Sequence, residues 1–148
     1  DYSNEAPFGD GTLGRTLLAP TKIYVKSCLA AHRAGLIKGL AHITGGGLTE
    51  NIPRILPDGL GIKLDGASWP ISDLFKWLSN AGGVAPEEMA RTFNCGIGMV
   101  AIVAPENANA AKKKLSDAGE SVFKIGSVIS DASDTRVMIE NWESAWQS

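Results

Sequence analysis

The spacing of apolar residues predicts helices and strands that alternate along the chain. Apolar residues three and four positions apart indicate amphipathic helices, whereas short alternating or wholly apolar runs indicate strands. Helices are predicted at 21–34, 49–56, 72–81, 105–118 and in a short stretch opened by Pro86. Strands are predicted at 17–18, 40–44, 60–64, 98–103, 122–129 and 136–139. Elements in this order predict an α+β fold with α/β/α layers.

The two ends of the chain lack this periodicity. Residues 1–14 are rich in glycine and polar side chains, so we expect a loop or linker remnant there. Residues 141–148 carry two tryptophans but no helix signal, and we expect a tail or linker. The predicted domain therefore spans residues 15–140.

Composition narrows the class of protein and of partner. At 148 residues the chain is long enough for one domain with its own core. A net charge of −2 gives no basic surface for nucleic acid, and no apolar run approaches the roughly 18–20 residues that cross a bilayer. Two cysteines do not form a disulfide framework. We expect a cytosolic domain without nucleic-acid or membrane partners.

The strongest candidate for chemistry is a run of three glycines between a predicted strand and a predicted helix. It lies within the stretch from His42 to Asn51. Glycine lets the backbone approach a ligand and adopt positive φ, so several N–H groups can face one concavity. The N-terminus of a following helix would add positive charge, which favours a phosphate. The run is neither a Walker A loop nor a dinucleotide fingerprint, and a plain tight turn explains the glycines equally well.

A second polar stretch, Arg91–Gly98, joins a short helix to the apolar strand. Arg91 could bind a phosphate or carboxylate, and Asn94 an amide or hydroxyl. The alternative is that Asn94 turns the chain while Cys95 packs as a small hydrophobe, which we favour for Cys95 because no base lies nearby. For His42 a hydrogen-bonded structural role is favoured over a general base. Too few histidines and cysteines are present for a metal site.

Four stretches taken together resemble one enzyme family, aminoimidazole ribonucleotide synthetase, also called phosphoribosylformylglycinamidine cyclo-ligase. The stretches are Leu-Ala-Pro-Thr-Lys-Ile-Tyr-Val-Lys at 18–26, Ala-His-Ile-Thr-Gly-Gly-Gly-Leu at 41–48, Glu-Asn-Ile-Pro-Arg-Ile-Leu-Pro at 50–57 and Met-Ala-Arg-Thr-Phe-Asn-Cys-Gly-Ile-Gly at 89–98. The resemblance covers about Leu13 to Glu140 and is to the C-terminal domain. Within these stretches the amino-acid sequence is closer to that of a eukaryotic trifunctional purine biosynthesis protein than to those of stand-alone bacterial enzymes.

The resemblance implies an ATP-dependent ring closure. ATP phosphorylates the formyl amide oxygen of formylglycinamidine ribonucleotide, and an amidine nitrogen of the same substrate then closes the imidazole ring. Aminoimidazole ribonucleotide, ADP and phosphate are the implied products. The implied cofactors are ATP and magnesium, held mostly by an N-terminal half that also forms a homodimer. The implied partners are therefore that half and a small-molecule purine intermediate.

Site residues are implied by matching positions, and no catalytic residue is assigned among them. Those expected to bind substrate or phosphate are Thr44, Gly45, Gly46, Gly47, Leu48, Glu50, Asn51 and Arg54. Those expected to support them are His42, Arg91 and Asn94. The turn should open onto a cleft shared with a partner domain.

Two departures from the family's pattern shape what we expect of this chain alone. The family's acidic nucleotide-binding segments and its His-Ser-Asn-Gly stretch do not occur in this sequence. The resemblance therefore implies a fold truncated at its N-terminal edge and a fragment without activity of its own. The alternatives are a related ATP-dependent phosphotransferase, such as selenophosphate synthetase or thiamine monophosphate kinase, and a non-catalytic dimerisation or interaction module.

Overall fold

A computed structural model describes residues 1–9, 11–130 and 136–147. Within them the helices are α1 (Leu13–Leu17), α2 (Val25–Arg33), α3 (Gly47–Asn51), α4 (Asp73–Gly82), α5 (Pro86–Thr92), α6 (Ala108–Asp117) and α7 (Trp142–Gln147). Short 3₁₀ turns lie at Pro53–Ile55, Gly66–Ser68 and Pro105–Asn107. The strands are β1 (Gly39–His42), β2 (Leu60–Asp65), β3 (Met99–Ile102), β4 (Gly126–Ser130) and β5 (Val137–Glu140).

The strands form two separate sheets. In the first, β1 and β3 pair antiparallel, with Ala41 opposite Val100. In the second, β2 lies between β4, to which it is antiparallel, and β5, to which it is parallel. Helices, an antiparallel sheet and a mixed sheet in one chain confirm the predicted α+β class.

Apolar side chains from both sheets meet in one core. Along β2, Ile62 and Leu64 are buried while Lys63 and Asp65 face solvent, which is the alternation expected of a strand with one wet face. Leu48 of α3 and the methionine of α5 are fully buried in the same cluster. The site-bearing elements are therefore fixed by the core itself.

The long helices agree best with the apolar pattern. Helix α4 follows Ser72 as predicted and ends at Gly82, one residue later than expected. Gly83 follows it with a φ of 60°. Helix α2 begins only at Val25, since residues 21–24 form no helix. The segment predicted as one helix at 105–118 is a 3₁₀ turn followed by α6.

Several short predictions are wrong or misplaced. The strand expected at 17–18 is wrong, because these residues end and follow helix α1, which is capped by the Thr12 hydroxyl accepting from the Arg15 amide at 3.3 Å. The strand expected at 122–129 begins only at Gly126. Strand β3 was expected to be covered on both faces, yet only Val100 is buried and the rest is half-buried. Patterns of two to eight residues carry too little periodicity to fix such details.

The expectation of a helix-free tail after Glu140 is also wrong. Helix α7 occupies Trp142–Gln147, and Trp142 and Ala145 belong to the core. The Trp142 indole N–H donates to the Pro86 carbonyl at 2.7 Å, and its ring lies 5.8 Å from that of Trp69. A six-residue helix offers too few turns to reveal its apolar side in sequence. Where the domain boundaries fall stays a prediction.

Replacing Trp142 by alanine should destabilise the fold by about 3–5 kcal/mol, because a large buried ring and its hydrogen bond are lost. Urea unfolding followed by far-ultraviolet circular dichroism measures the change. Glu143→Ala, one position along the same helix but exposed, is the control and should change the free energy of unfolding by less than about 0.5 kcal/mol. Equal effects of the two substitutions would contradict the packed position of α7.

A partly buried ion pair between Lys22 and Glu120 connects the segment before α2 with the loop after α6. Lys22 Nζ lies 2.5 Å from Glu120 Oε2, and the Ser27 hydroxyl donates to Glu120 Oε1 at 2.8 Å. The Lys22 hydrogen bond lowers the pKa of the Glu120 carboxyl, and the same bond raises the pKa of the Lys22 ammonium. The ionised pair is thus the form that the fold favours.

The pair makes stability depend on pH at both ends of the range. Since the pKa of Glu120 is lower in the folded chain, its contribution is full above the unfolded value of about 4.3 and is lost as pH falls through the folded pKa. Since the pKa of Lys22 is raised, its contribution is lost as pH rises beyond about 10.4. Urea midpoints across pH should show a smaller acid loss for Glu120→Gln than for the native chain. Glu106→Gln, at an exposed carboxyl, should leave the profile unchanged, and an unaltered profile in Glu120→Gln would contradict this role.

Candidate functional site

The three glycines form the turn between β1 and α3. Gly46 and Gly47 have φ of 96° and 56°, values that L side chains rarely adopt. The Gly47 N–H donates to the Thr44 carbonyl at 2.9 Å and closes the turn. The sequence therefore uses glycine here for backbone geometry, as the pattern predicted.

The second half of the turn is packed against α5. A Cβ at Gly47 would collide with the carbonyl oxygen of Ala90, and the Leu48 side chain is fully buried. Gly47 and Leu48, both predicted to bind substrate or phosphate, thus lie in the interior. At these two residues α3 packs closely against α5.

The Asn51 side chain holds the turn from behind. Its amide group donates to three backbone carbonyls, those of Thr44 at 3.4 Å, Gly45 at 3.1 Å and Gly47 at 2.8 Å. Its Oδ1 accepts from Arg54 Nη1 at 3.1 Å, which fixes the orientation of the amide. Asn51 and Arg54, predicted to bind ligand, are therefore connected to each other and to the turn.

The carbonyl directions determine where the N–H groups point. In a trans peptide the C=O of one residue and the N–H of the next point in opposite directions. Because the Thr44 and Gly45 carbonyls face Asn51, the Gly45 and Gly46 N–H groups face away from it. Neither N–H makes a hydrogen bond with any residue that the structure describes. Gly45 is exposed and has no atom within 4 Å of the position its Cβ would take.

The site can therefore offer two adjacent N–H donors and the exposed Thr44 to an incoming group. Convergent backbone N–H groups bind anions without a charged side chain. Helix α3 adds little field, since it is only five residues long and is followed by a 3₁₀ turn. The short helix predicted at 49–56 is therefore wrong in its bounds, because the structure has α3 at Gly47–Asn51 and a 3₁₀ turn at Pro53–Ile55.

An ion pair joins the two polar stretches that the sequence placed far apart. Arg91 Nε donates to Glu50 Oε1 at 3.3 Å, and Arg91 Nη1 lies 3.9 Å from Glu88 Oε1. Both members are largely exposed, with 63% and 48% of their side chains accessible. The structure thus brings Glu50 and Arg91 together at the edge of the turn. An exposed pair of this kind contributes little to stability and can rearrange around a ligand.

The remaining members of the second stretch serve the fold. Asn94 Oδ1 accepts from the Gly96 N–H at 3.0 Å, so this side chain turns the chain. Cys95 is fully buried with φ of 47°, and its thiol donates to the Met89 carbonyl at 3.3 Å. Burial raises the pKa of Cys95 to about 12. The interpretation of Cys95 as an inert packed residue is confirmed.

His42 was expected to be hydrogen-bonded within the fold. Its side chain is exposed and makes an edge contact with the Tyr24 ring, at 6.0 Å between centroids.

The described residues contain no group of three or more side chains able to hold a metal ion. No helix in the described part of the chain has the length and hydropathy to cross a membrane.

Comparison with known proteins gives this geometry a context. The sequence model of the family described as "AIR synthase related protein, C-terminal domain" matches residues 1–139. The chain belongs to this family. It is 54% identical over 125 residues to a phosphoribosylformylglycinamidine cyclo-ligase of Chromobacterium violaceum. It is 50% identical over 129 residues to the bifunctional purine biosynthetic protein purD of Dictyostelium discoideum.

These matches cover most of this chain but only part of each relative. The first spans 84% of this chain and 36% of the bacterial protein, and the second spans 86% of this chain and 16% of the Dictyostelium protein. Within the family, a domain of this kind therefore occurs in longer polypeptides. The Dictyostelium relative supports the expected context of a multifunctional eukaryotic protein.

One residue that supports the glycine turn was not predicted to do so from the sequence. Arg136, predicted only as the start of a strand, donates to the carbonyls of Pro53, Leu56, Pro57 and Leu60 at 2.6–3.2 Å. Its guanidinium thus fixes the segment that follows Asn51. The only sequence signal for this role is an arginine in an otherwise apolar strand, and that is too weak to predict four contacts.

Two glycine substitutions separate the packed half of the turn from the open half. Gly47→Ala should destabilise the chain by about 2–3 kcal/mol or prevent folding, because φ is positive and the Ala90 carbonyl occupies the site of the new methyl. Gly45→Ala should change the free energy of unfolding by less than about 0.5 kcal/mol, since its Cβ position is open. Urea unfolding measures both. Similar losses at the two positions would contradict the described turn.

Proposed function

We propose that this chain is the C-terminal domain of a phosphoribosylformylglycinamidine cyclo-ligase of purine biosynthesis. The enzyme would convert formylglycinamidine ribonucleotide to aminoimidazole ribonucleotide with the use of ATP. The observation that carries the proposal is the outward direction of the Gly45 and Gly46 N–H groups, in a chain 54% identical over 125 residues to a protein of that name. A chain this similar, with two N–H donors of the turn left open, fits a substrate that carries a phosphate group.

In this proposal the turn binds a phosphate group and holds it in place. Two N–H groups directed at one side can donate to two oxygens of a phosphate, and the Thr44 hydroxyl can donate to a third. Donors fixed before the ligand arrives lose little entropy on binding and stabilise developing negative charge during reaction. The Asn51 clamp keeps them fixed. The same donors fit the ribose phosphate and the transferred phosphoryl group.

ATP and magnesium belong to the proposal as cofactors. ATP would supply the phosphoryl group that makes the formyl oxygen a leaving group. The turn residues fit phosphate oxygens, whereas the described residues present no carboxylate cluster for magnesium. We therefore assign most contacts to ATP and magnesium to the N-terminal half of the enzyme. What this chain contributes is one wall of the substrate cleft.

The proposed enzyme is a cytosolic homodimer in which this domain contacts the N-terminal half. Exposed apolar surface supports a large contact with that half. Within one short segment, the exposed fractions of Leu18, Ile23 and Val25 are 83%, 82% and 60%. Contiguous exposed apolar residues commonly mark interaction surfaces. The partner in this account is the rest of the same enzyme.

The experiment uses the full-length parent protein, supplied with ATP and formylglycinamidine ribonucleotide. Gly45→Val should lower kcat/KM by about 10–1,000-fold, because a branched side chain covers the two donors and excludes the phosphate. Gly9→Val is the matched control, since Gly9 also has nothing within 4 Å of its Cβ position and lies outside the turn. It should retain activity.

Three outcomes would contradict the proposal. Full activity of Gly45→Val would show that the turn does not contact the substrate. Phosphorylation of a different acceptor by the parent protein would favour a related phosphotransferase. Absence of any ATP-dependent reaction in a folded parent protein would favour an interaction module. The 148-residue chain alone should show no turnover, since in the proposal it lacks most of the ATP contacts.

A further inference from the structure

Two arginines lie behind the Asn51 side chain, and neither donates a hydrogen bond to the glycine turn in the part of the chain that the structure describes. Arg54 Nη1 donates to Asn51 Oδ1 at 3.1 Å. Arg136 donates to the carbonyls of Pro53 and Leu56, which flank Arg54, at 3.2 and 3.0 Å. A continuous set of hydrogen bonds therefore leads from Arg136 to the turn.

Arg136 is itself held by the second sheet. Its carbonyl accepts from the Ile62 N–H at 2.8 Å, and its Nε donates to the Leu60 carbonyl at 2.9 Å. Its Nη2 also donates to the Pro57 carbonyl at 2.6 Å. A guanidinium is planar and presents its N–H groups in fixed directions, so the carbonyls that it binds are fixed relative to one another. Strand β2 and Arg136 thus determine where residues 53–57 lie.

The segment that Arg136 binds is the end of a helical run. Helix α3 continues through Ile52 into the 3₁₀ turn Pro53–Ile55. The last carbonyls of such a run have no partner within it. The Leu56 carbonyl accepts from no backbone N–H of the described residues, and Arg136 supplies its hydrogen bond. Without Arg136 this end of the run would lose its attachment to the sheet.

The position of Arg54 depends on that attachment. Its side chain is exposed, and its one hydrogen bond within the described residues is the bond to Asn51. Ordering a long side chain costs conformational entropy. One bond holds such a side chain in place only where the backbone that carries it is fixed. Loss of Arg136 should therefore weaken the bond between Arg54 and Asn51.

The bond from Arg54 determines how the Asn51 amide is oriented. A guanidinium can only donate, so it keeps Oδ1 toward itself and the amide N–H groups toward the turn. Donation from a charged group also polarises the amide and strengthens its N–H groups as donors. These groups hold the carbonyls of Thr44, Gly45 and Gly47. Weakening this bond should therefore loosen the turn.

We propose that Arg136 is a positioning residue of the phosphate site. It acts through Arg54 and Asn51, and so determines the affinity of the Gly45 and Gly46 N–H groups for phosphate. The proposal rests on the proposed function, in which this turn binds a phosphate group. A merely structural arginine would lower the free energy of unfolding and leave the phosphate affinity of the folded chain unchanged.

Exchange of the Asn51 side-chain amide protons with solvent tests the connection without any ligand. Nuclear magnetic resonance measures it in the 148-residue chain. In Arg136→Lys these protons should exchange at least about 10-fold faster than in the native chain, because lysine keeps the charge and loses the planar fork. Arg54→Met should show the same change. Arg33→Met, at an exposed arginine of α2, is the control and should leave the exchange unchanged.

Titration of the same variants with inorganic phosphate measures the effect on the donors. Arg136→Lys and Arg54→Met should each weaken the binding seen at the Gly45 and Gly46 amides by about 3–30-fold. The double variant should bind no more weakly than the weaker single variant, because both substitutions break the same connection. Arg33→Met should bind phosphate as the native chain does.

Three results would overturn the proposal. Native exchange of the Asn51 amide in a folded Arg136→Lys would mean that Arg136 does not position it. Independent losses that multiply in the double variant would mean that Arg136 acts by another route. If Arg136→Lys does not fold, native phosphate affinity in Arg54→Met would exclude the connection.

The proposed function can fail separately. A native chain that binds no phosphate at Gly45 and Gly46 would count against the proposed function. The exchange of the Asn51 amide needs no ligand, and it would still decide whether Arg136 positions that side chain.

Discussion

The candidate site depends on one side-chain amide. The two N–H bonds of the Asn51 amide are shared among three backbone carbonyls of the glycine turn, and Arg54 occupies its oxygen. Because each peptide group is planar, turning a carbonyl inward turns the following N–H outward. Asn51 thereby converts a flexible glycine run into a rigid set of donors without contacting a ligand itself.

The packing of the turn on α5 provides the second constraint. Gly47 lies so close to the Ala90 carbonyl that no side chain fits between them. This contact brings Arg91 within reach of Glu50, although the two lie 41 positions apart in sequence. Two polar stretches separated by a strand, a helix and several turns thus become neighbours. The close backbone contact determines this arrangement, and the exposed ion pair only follows it.

Much of this arrangement was accessible from the sequence because glycine and long apolar periods leave strong signals. Helix α4 and strand β2 follow their patterns closely, and the glycine run correctly located the turn. The inward carbonyls, the clamp by Asn51 and the anchoring by Arg136 were not accessible, since they depend on residues distant in sequence. Helix α7 was missed for a related reason: Trp142 is buried by contacts with Trp69 and Pro86, and a short helix stabilised in this way shows no period of its own.

Titration of the 148-residue chain with inorganic phosphate, monitored by the amide resonances of the turn, tests whether Asn51 holds the turn open for an anion. The Gly45 and Gly46 amides should shift on binding, while the Gly47 amide, which is bonded to Thr44, should shift much less. A folded Asn51→Asp variant should lose the response, because a carboxylate repels the three carbonyls and releases the turn. A response centred on Gly47, or one that persists unchanged in Asn51→Asp, would contradict this role of Asn51.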